Sequence, residues 1–260
     1  MLILKGDWRL PNNMKNKEYK SLNNNRNKNA QRLPTGPYHI HNGFVQTQCM
    51  GIRAVIISGG EITDYNYIKT LINEDDFIIC ADSGYDHAVK MDITPAALVG
   101  DFDSIEHTNF QSAKNKNIDI VPYPAEKDYT DTEIALEYAR EKGFTNFLFL
   151  AAYGTRIDHT MGNIMLLKNC LYNNEKAQLA NEYNTVFFIN SKTVLHGKKG
   201  DTVSLIPITD CYKISTHNLK YPLFQEDLLL SSTHGISNIM TENTAEISIE
   251  KGIMMINIVK

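Results

Sequence analysis

The chain has 260 residues, 42% of them hydrophobic and 22% charged, with a formal charge of −4 at pH 7. That is the composition of a folded globular protein with room for a sizeable core and one or two domains. The slight acidity gives no global reason for nucleic-acid binding, and no stretch approaches 18 uninterrupted apolar residues, so neither a nucleic-acid nor a membrane partner is expected.

Residues 1–49 differ from the rest of the chain. "NNMKNKEYKSLNNNRNKNAQR" has hardly any apolar residues to bury, and this segment holds eight Lys or Arg against two acidic residues. Its local charge of +6 leaves −10 for the remaining residues. Such a tail is expected to be disordered or a leader, with Met50-Gly51 the natural beginning of the folded part. The four cysteines, Cys49, Cys80, Cys170 and Cys211, form no CxxC pair. That disfavours a zinc site and fits a reducing, cytoplasmic compartment.

From residue 52 short apolar runs alternate with helical patterns. "RAVIISGG", "DFIICADSG", "AALVGDFDS", "IDIVPYP" and "NFLFLAAYGT" read as five buried strands. Helices are expected between and after them, over 64–73, 84–91, 106–117, 131–142 and 159–171. This βαβα rhythm predicts a parallel sheet covered on both faces, a Rossmann-like α/β domain over residues 50–175. Thr130 and Glu133 form a capping box for the fourth helix, with Asp131 in its first turn. The polar stretch 173–184 marks a boundary. Beyond it "NTVFFIN", "KTVLHG", "DTVSLIPI", "YKISTHN", "AEISIE" and "IMMINIVK" predict an all-β unit over 176–260, a small antiparallel sandwich or barrel, with a helical turn near 225–230.

In parallel α/β sheets ligands bind beyond the carboxyl ends of the strands, and the polar residues fall there. The first strand ends at Ser58-Gly59-Gly60, the second at Asp82-Ser83-Gly84 and the third at Asp101 and Asp103. The fourth leads into Lys127, Asp128 and Asp131, and the fifth into Arg156, Asp158 and His159. Carboxylates massed this way stay ionised only with positive charge among them. Mg²⁺, which takes oxygen ligands and substrate phosphates, is the natural ion. Glycines at strand ends admit a phosphate, and Arg156 can neutralise phosphoryl oxygens. The residues thus describe a magnesium-dependent enzyme acting on a phosphorylated substrate, a nucleotide. Each has a plainer reading: a DxD arises by chance, Asp131 can serve the helix dipole, Asp158 can cap a helix, and the glycines can only turn the chain.

Taken in order, "ADSGYDHAVKMDITPAALVGDFDSI", "KDYTDTEIAL" and "GTRIDHTMGNI", with the later "LKYPL" and "GISN", resemble the thiamine pyrophosphokinase family over residues 52–260. The resemblance implies transfer of a pyrophosphoryl group from ATP to the hydroxyethyl oxygen of thiamine, giving thiamine diphosphate and AMP. It implies an α/β domain followed by a β-sandwich, and a homodimer with active sites between subunits. Asp101, Asp103 and Asp131 would hold Mg²⁺. Asp82, Ser83, Gly84, Lys127, Asp128 and Thr130 would line the ATP side, with Arg156 and Asp158 at the phosphates. Ser237 and Asn238 would contact thiamine, and Asp128 or Asp158 would take the hydroxyl proton. Where Ser83 stands the family often has a second glycine; the extra hydroxymethyl group should fit if the backbone there avoids positive φ. Rival readings are a pterin pyrophosphokinase on the same nucleotide domain, a glycosyltransferase using "GDFDS" as its DxD, and a non-catalytic thiamine or nucleotide sensor.

Overall fold

The computed structural model describes residues 52–123 and 128–260. Its first half alternates strand and helix. The order is β1 (Ala54–Ile57), α1 (Tyr65–Thr70), β2 (Phe77–Ala81), α2 (Gly84–Lys90), β3 (Ala97–Gly100), α3 (His107–Lys114), β4 (Asp119–Pro122), α4 (Asp131–Glu141), β5 (Asn146–Leu150) and α5 (Ile157–Tyr172). Nine strands come next without a helix: β6 (Lys176–Ala180), β7 (Asn184–Ile189), β8 (Thr193–His196), β9 (Thr202–Pro207), β10 (Cys211–His217), β11 (Glu226–Leu228), β12 (Asn238–Ile239), β13 (Thr244–Ser248) and β14 (Met254–Val259).

One ten-stranded sheet runs through both halves in the order β12-β9-β14-β7-β6-β5-β1-β2-β3-β4. The pairs from β4 to β6 are parallel, and those from β6 through β7, β14 and β9 to β12 are antiparallel. The chain walks outward from β1 to β4, then returns to place β5 on β1's other side. The carboxyl ends of β1 and β5 therefore form a topological switch point, where sheets of this kind bind ligands.

The sequence of the inner strands explains their place. Every residue of β1 is buried, and its side chains alternate between two cores. Ala54 and Ile56 pack with α4 and α5 residues such as Leu136 and Leu167, whereas Val55 and Ile57 pack with Ile68 of α1, Tyr85 of α2 and Ala113 of α3. Burial on both faces is what selects an uninterrupted apolar run over an alternating one. A third core lies in the second half, where β11-β10-β13-β8 form a separate sheet. Cys211, Ile214, Ala245 and Ile247 from that sheet meet Phe187, Leu205, Met254 and Ile256 from the large one, which makes a sandwich.

Three local features differ from the sequence reading. The polar boundary 173–184 contains a strand, β6, whose Leu179 and Ala180 are buried against β5 and β7. The expected turn near 225–230 is the short edge strand β11. The fifth helix begins at Ile157, so Asp158 sits in its first turn rather than capping it. The capping of α4 is as anticipated, with the Glu133 amide donating to Thr130 Oγ1 at 3.2 Å. Among the described residues no helix is long and apolar enough to cross a membrane.

Candidate active site

The strand ends set the geometry. Gly84 opens α2 directly against the end of β1; a Cβ there would lie 1.9 Å from the Ile57 carbonyl oxygen, so only glycine lets the two segments touch. Ser83 precedes it at φ −58°, in the right-handed region, so the expected condition on its side chain is met. Ser58, buried at the end of β1, shares a 2.9 Å hydrogen bond with Thr132 in the first turn of α4.

Asp82 follows β2 in a left-handed conformation, φ 48°. Its amide donates to the Val99 carbonyl at 2.8 Å, which ties it to β3. The carboxyl is buried, and its Oδ1 has no hydrogen-bond partner among the described residues. Burial raises its pKa, hydrogen bonds from Ser104 and the Ser83 amide pull it down, and the charges of Asp131 and Asp101 push it up again. A buried, half-satisfied carboxylate of this kind is costly unless a cation joins it.

The neighbouring strand brings the next two carboxylates. β3 ends at Gly100, φ +149°, where a Cβ would stand 3.1 Å from that of Asp82 and 3.3 Å from Asp131 Oδ1. Gly100 thus lets Asp82 and Asp131 close on the strand end from two sides. Phe102, between the two aspartates beyond the strand, is left-handed at φ 67°. Its ring stacks on Phe110 of α3 at 5.0 Å. The turn is further tied by the Asp103 amide donating to Asp101 Oδ1 at 3.2 Å and Ser104 Oγ donating to Asp103 Oδ1 at 2.8 Å. As a result one carboxylate oxygen from each of Asp82, Asp101 and Asp103 lies within 4.8 Å of the others. Three hard oxygen donors, one buried without a partner, suit Mg²⁺.

The family resemblance implies Asp131 beside Asp101 and Asp103 at the metal, and Asp82 on the ATP side. In the structure Asp82 is the third member of the trio, while Asp131 stands beside Gly100 and couples electrostatically with Asp82. The signal was available: β2 and β3 are adjacent and parallel, so residues just past their ends are neighbours.

The remaining candidates are less concentrated. Asp128 and Thr130 are exposed before α4, and Lys127 lies outside the described residues. Arg156 and Asp158 are exposed and pair with each other, Nη2 to Oδ2 at 2.7 Å. That hydrogen bond holds the Asp158 carboxyl down to about 2. Ser237 is exposed at φ 62°, its amide donating to Ser204 Oγ at 3.1 Å. Asn238 is buried and bonded at both ends of its amide: Oδ1 accepts from the amides of Tyr221 and Ile239, and Nδ2 donates to the Tyr221 carbonyl at 2.6 Å. Its role is to pin the 219–223 loop to β12. The two late motifs thereby form one cavity of about 270 Å³, lined by Tyr221, Leu223, Glu226, His234, Ile236 and Asn238.

That cavity is remote from the carboxylates. Seven strand spacings separate β12 from β2 in the sheet order, roughly 30 Å at ~4.8 Å each.

The fold is thus a mixed α/β sheet with carboxylates massed at its strand ends, continued into a β-sandwich. Two family models match the chain, "Thiamin pyrophosphokinase, catalytic domain" over residues 68–179 and "Thiamin pyrophosphokinase, vitamin B1 binding domain" over 189–254. Together they span more than half of it, and the chain belongs to the thiamine pyrophosphokinase family. The thiamine pyrophosphokinase of Bacillus subtilis is 29% identical over 203 residues, which covers 77% of this chain and 95% of that protein. The crystal structure of a Bacillus subtilis thiamine pyrophosphokinase superposes with a TM-score of 0.74 at 26% identity, covering 80% of this chain and 99% of that one. The thiamin pyrophosphokinase of Geobacillus thermodenitrificans gives 0.72 at 25% identity, covering 80% and 98%.

Proposed function

We propose that the chain is a thiamine pyrophosphokinase that transfers the pyrophosphoryl group of ATP, with Mg²⁺, to the hydroxyethyl oxygen of thiamine, giving thiamine diphosphate and AMP. The observation that carries this reading is the trio Asp82, Asp101 and Asp103 at adjacent strand ends within a family-matched catalytic region. The match of residues 189–254 to a vitamin B1 binding domain favours thiamine over a pterin as acceptor.

Asp82, Asp101 and Asp103 would hold Mg²⁺, with Asp131 beside them; when bound, the ion offsets negative charge on the phosphates and in the transition state. The thiamine oxygen attacks the β-phosphorus in line and AMP leaves. The protein's part is to align the two substrates and exclude competing geometries. Arg156 would meet phosphate oxygens by exchanging its present partner Asp158 for them. Asp128 or Asp158 would take the hydroxyl proton, Asp158 once Arg156 has left it for the phosphates.

The distance between the carboxylates and the Tyr221–Asn238 cavity supports a homodimer, in which the α/β part of one subunit meets the sandwich part of the other. Cys80, Cys170 and Cys211 are free and buried, which supports a cytoplasmic setting.

The test is to incubate the full chain with ATP, Mg²⁺ and thiamine and to resolve the nucleotides by chromatography. AMP formed in step with thiamine diphosphate, and dependent on thiamine and metal, is the expected result. Folded protein that yields no AMP would overturn the assignment. Asp101→Ala and Asp103→Ala should each lower turnover by at least ~100-fold with the circular dichroism spectrum unchanged.

A further inference from the structure

Helix α2 carries two adjacent polar residues that reach opposite flanks of the site. Gly84, Tyr85 and Ala88 bury its inner face. On one side Asp86 accepts from Asn109 Nδ2 of α3 at 2.8 Å and from the amide of Glu106 at 3.2 Å. Glu106 is the residue that starts α3 and lies two positions beyond Ser104 of the aspartate turn. The same helix supplies Phe110, on which Phe102 stacks. Asp86 therefore holds the platform against which the Asp101–Asp103 turn rests.

On the other side His87 Nε2 lies 2.7 Å from the Gly60 carbonyl oxygen, and Nδ1 lies 2.8 Å from the Tyr65 hydroxyl. A carbonyl oxygen only accepts, so Nε2 bears the hydrogen and Nδ1 accepts from Tyr65. Both ring nitrogens are thus committed, and the imidazole has one orientation. It clamps the glycine turn at the end of β1. Neighbouring residues on a helix project about 100° apart, which is what lets one short helix reach both turns. Only Ser83 separates Asp82 from the start of that helix.

We propose that Asp86 and His87 are positioning residues, which hold the aspartate turn after β3 and the glycine turn after β1 in fixed relation to Asp82. Asp86 governs the metal side and His87 the nucleotide side. This rests on the pyrophosphokinase reading for the identity of the ligands, and on the hydrogen bonds alone for the mechanical claim.

Two independent measurements test it. Hydrogen exchange on the ligand-free chain should quicken over residues 101–110 in Asp86→Ala and over 58–62 in His87→Ala, each leaving the other segment unchanged. The dissociation constant of Mn²⁺, read by paramagnetic resonance, should rise about tenfold in Asp86→Ala, the effect of losing a hydrogen bond to a charged group. It should stay within about twofold in His87→Ala. The metal-free dissociation constant of α,β-methylene-ATP should show the opposite pattern. His87→Gln keeps an N–H for the Gly60 carbonyl and Asp86→Asn keeps one acceptor oxygen, so each should recover much of its loss. Exchange that quickens evenly across the chain, or affinities for both ligands that fall together, would overturn the proposal. A wild-type chain that binds neither ligand would overturn the functional reading instead, while the exchange maps would still decide the mechanical claim.

Discussion

His87 carries a titration as well as a clamp. Burial lowers its pKa below the ordinary 6.5, the Gly60 carbonyl works against that, Lys90 adds to the lowering and Asp86 opposes it. Above 6.5 the ring is neutral in both folded and unfolded chains and contributes no pH dependence. Below 6.5 the unfolded chain takes the proton first, so stability falls as the pH is lowered until the folded ring also protonates. Urea unfolding of wild type should therefore show a loss that begins near pH 6.5 and levels off lower, and His87→Gln should lack that component. At this scale the sequence was partly legible. "GDFDS" and "ADSG" sit at strand ends, and the chemistry of clustered carboxylates needs nothing more to be seen. That the ends of β2 and β3 are neighbours was legible too, but not how closely the trio gathers, which depends on the left-handed turns at Asp82 and Phe102 and on Gly100 letting side chains close around it. Nor was the engagement of Asn238, whose side chain bonds the backbone of Tyr221 in a separate loop.

Secondary-structure elements were the most legible level, since buried parallel strands announce themselves as short apolar runs such as "AVII" and "ALVG". β6 escaped because most of its residues are only half-buried and read as polar. Its placement depends instead on a contact distant in sequence. Arg140, near the end of α4, binds Glu175 just before β6 through Nε at 3.0 Å and Nη2 at 2.5 Å, and also reaches Glu137 at 2.6 Å and Asn169 Oδ1 at 2.8 Å. The Arg140 and Glu175 side chains are only 16% and 11% exposed, so this pair is shielded from solvent rather than a loose surface bridge. Glu175→Gln leaves the guanidinium without its bidentate partner and should cost about 2–3 kcal/mol in urea unfolding. A loss below ~0.5 kcal/mol would assign the anchoring of β6 to its apolar contacts alone.

The whole molecule was legible as an α/β part followed by a sandwich, but not as one sheet shared by both. We propose that the units 50–175 and 176–260 act as one body within a chain and as complementary halves between chains. Mixing Asp101→Ala with Ile236→Glu, each inactive alone, should restore about a quarter of wild-type activity through heterodimers that retain one intact site; no recovery would place both halves of a site on the same chain. The strand order has another consequence, which concerns synthesis. β14 pairs with both β7 and β9, yet it is made after each of them. A nascent chain that has reached residue 250 holds those two strands with their shared neighbour missing, so their hydrogen-bonding edges stand open until β14 emerges. The last strand made, which joins β9 to β7, is therefore also the one whose arrival closes these two edges against aggregation.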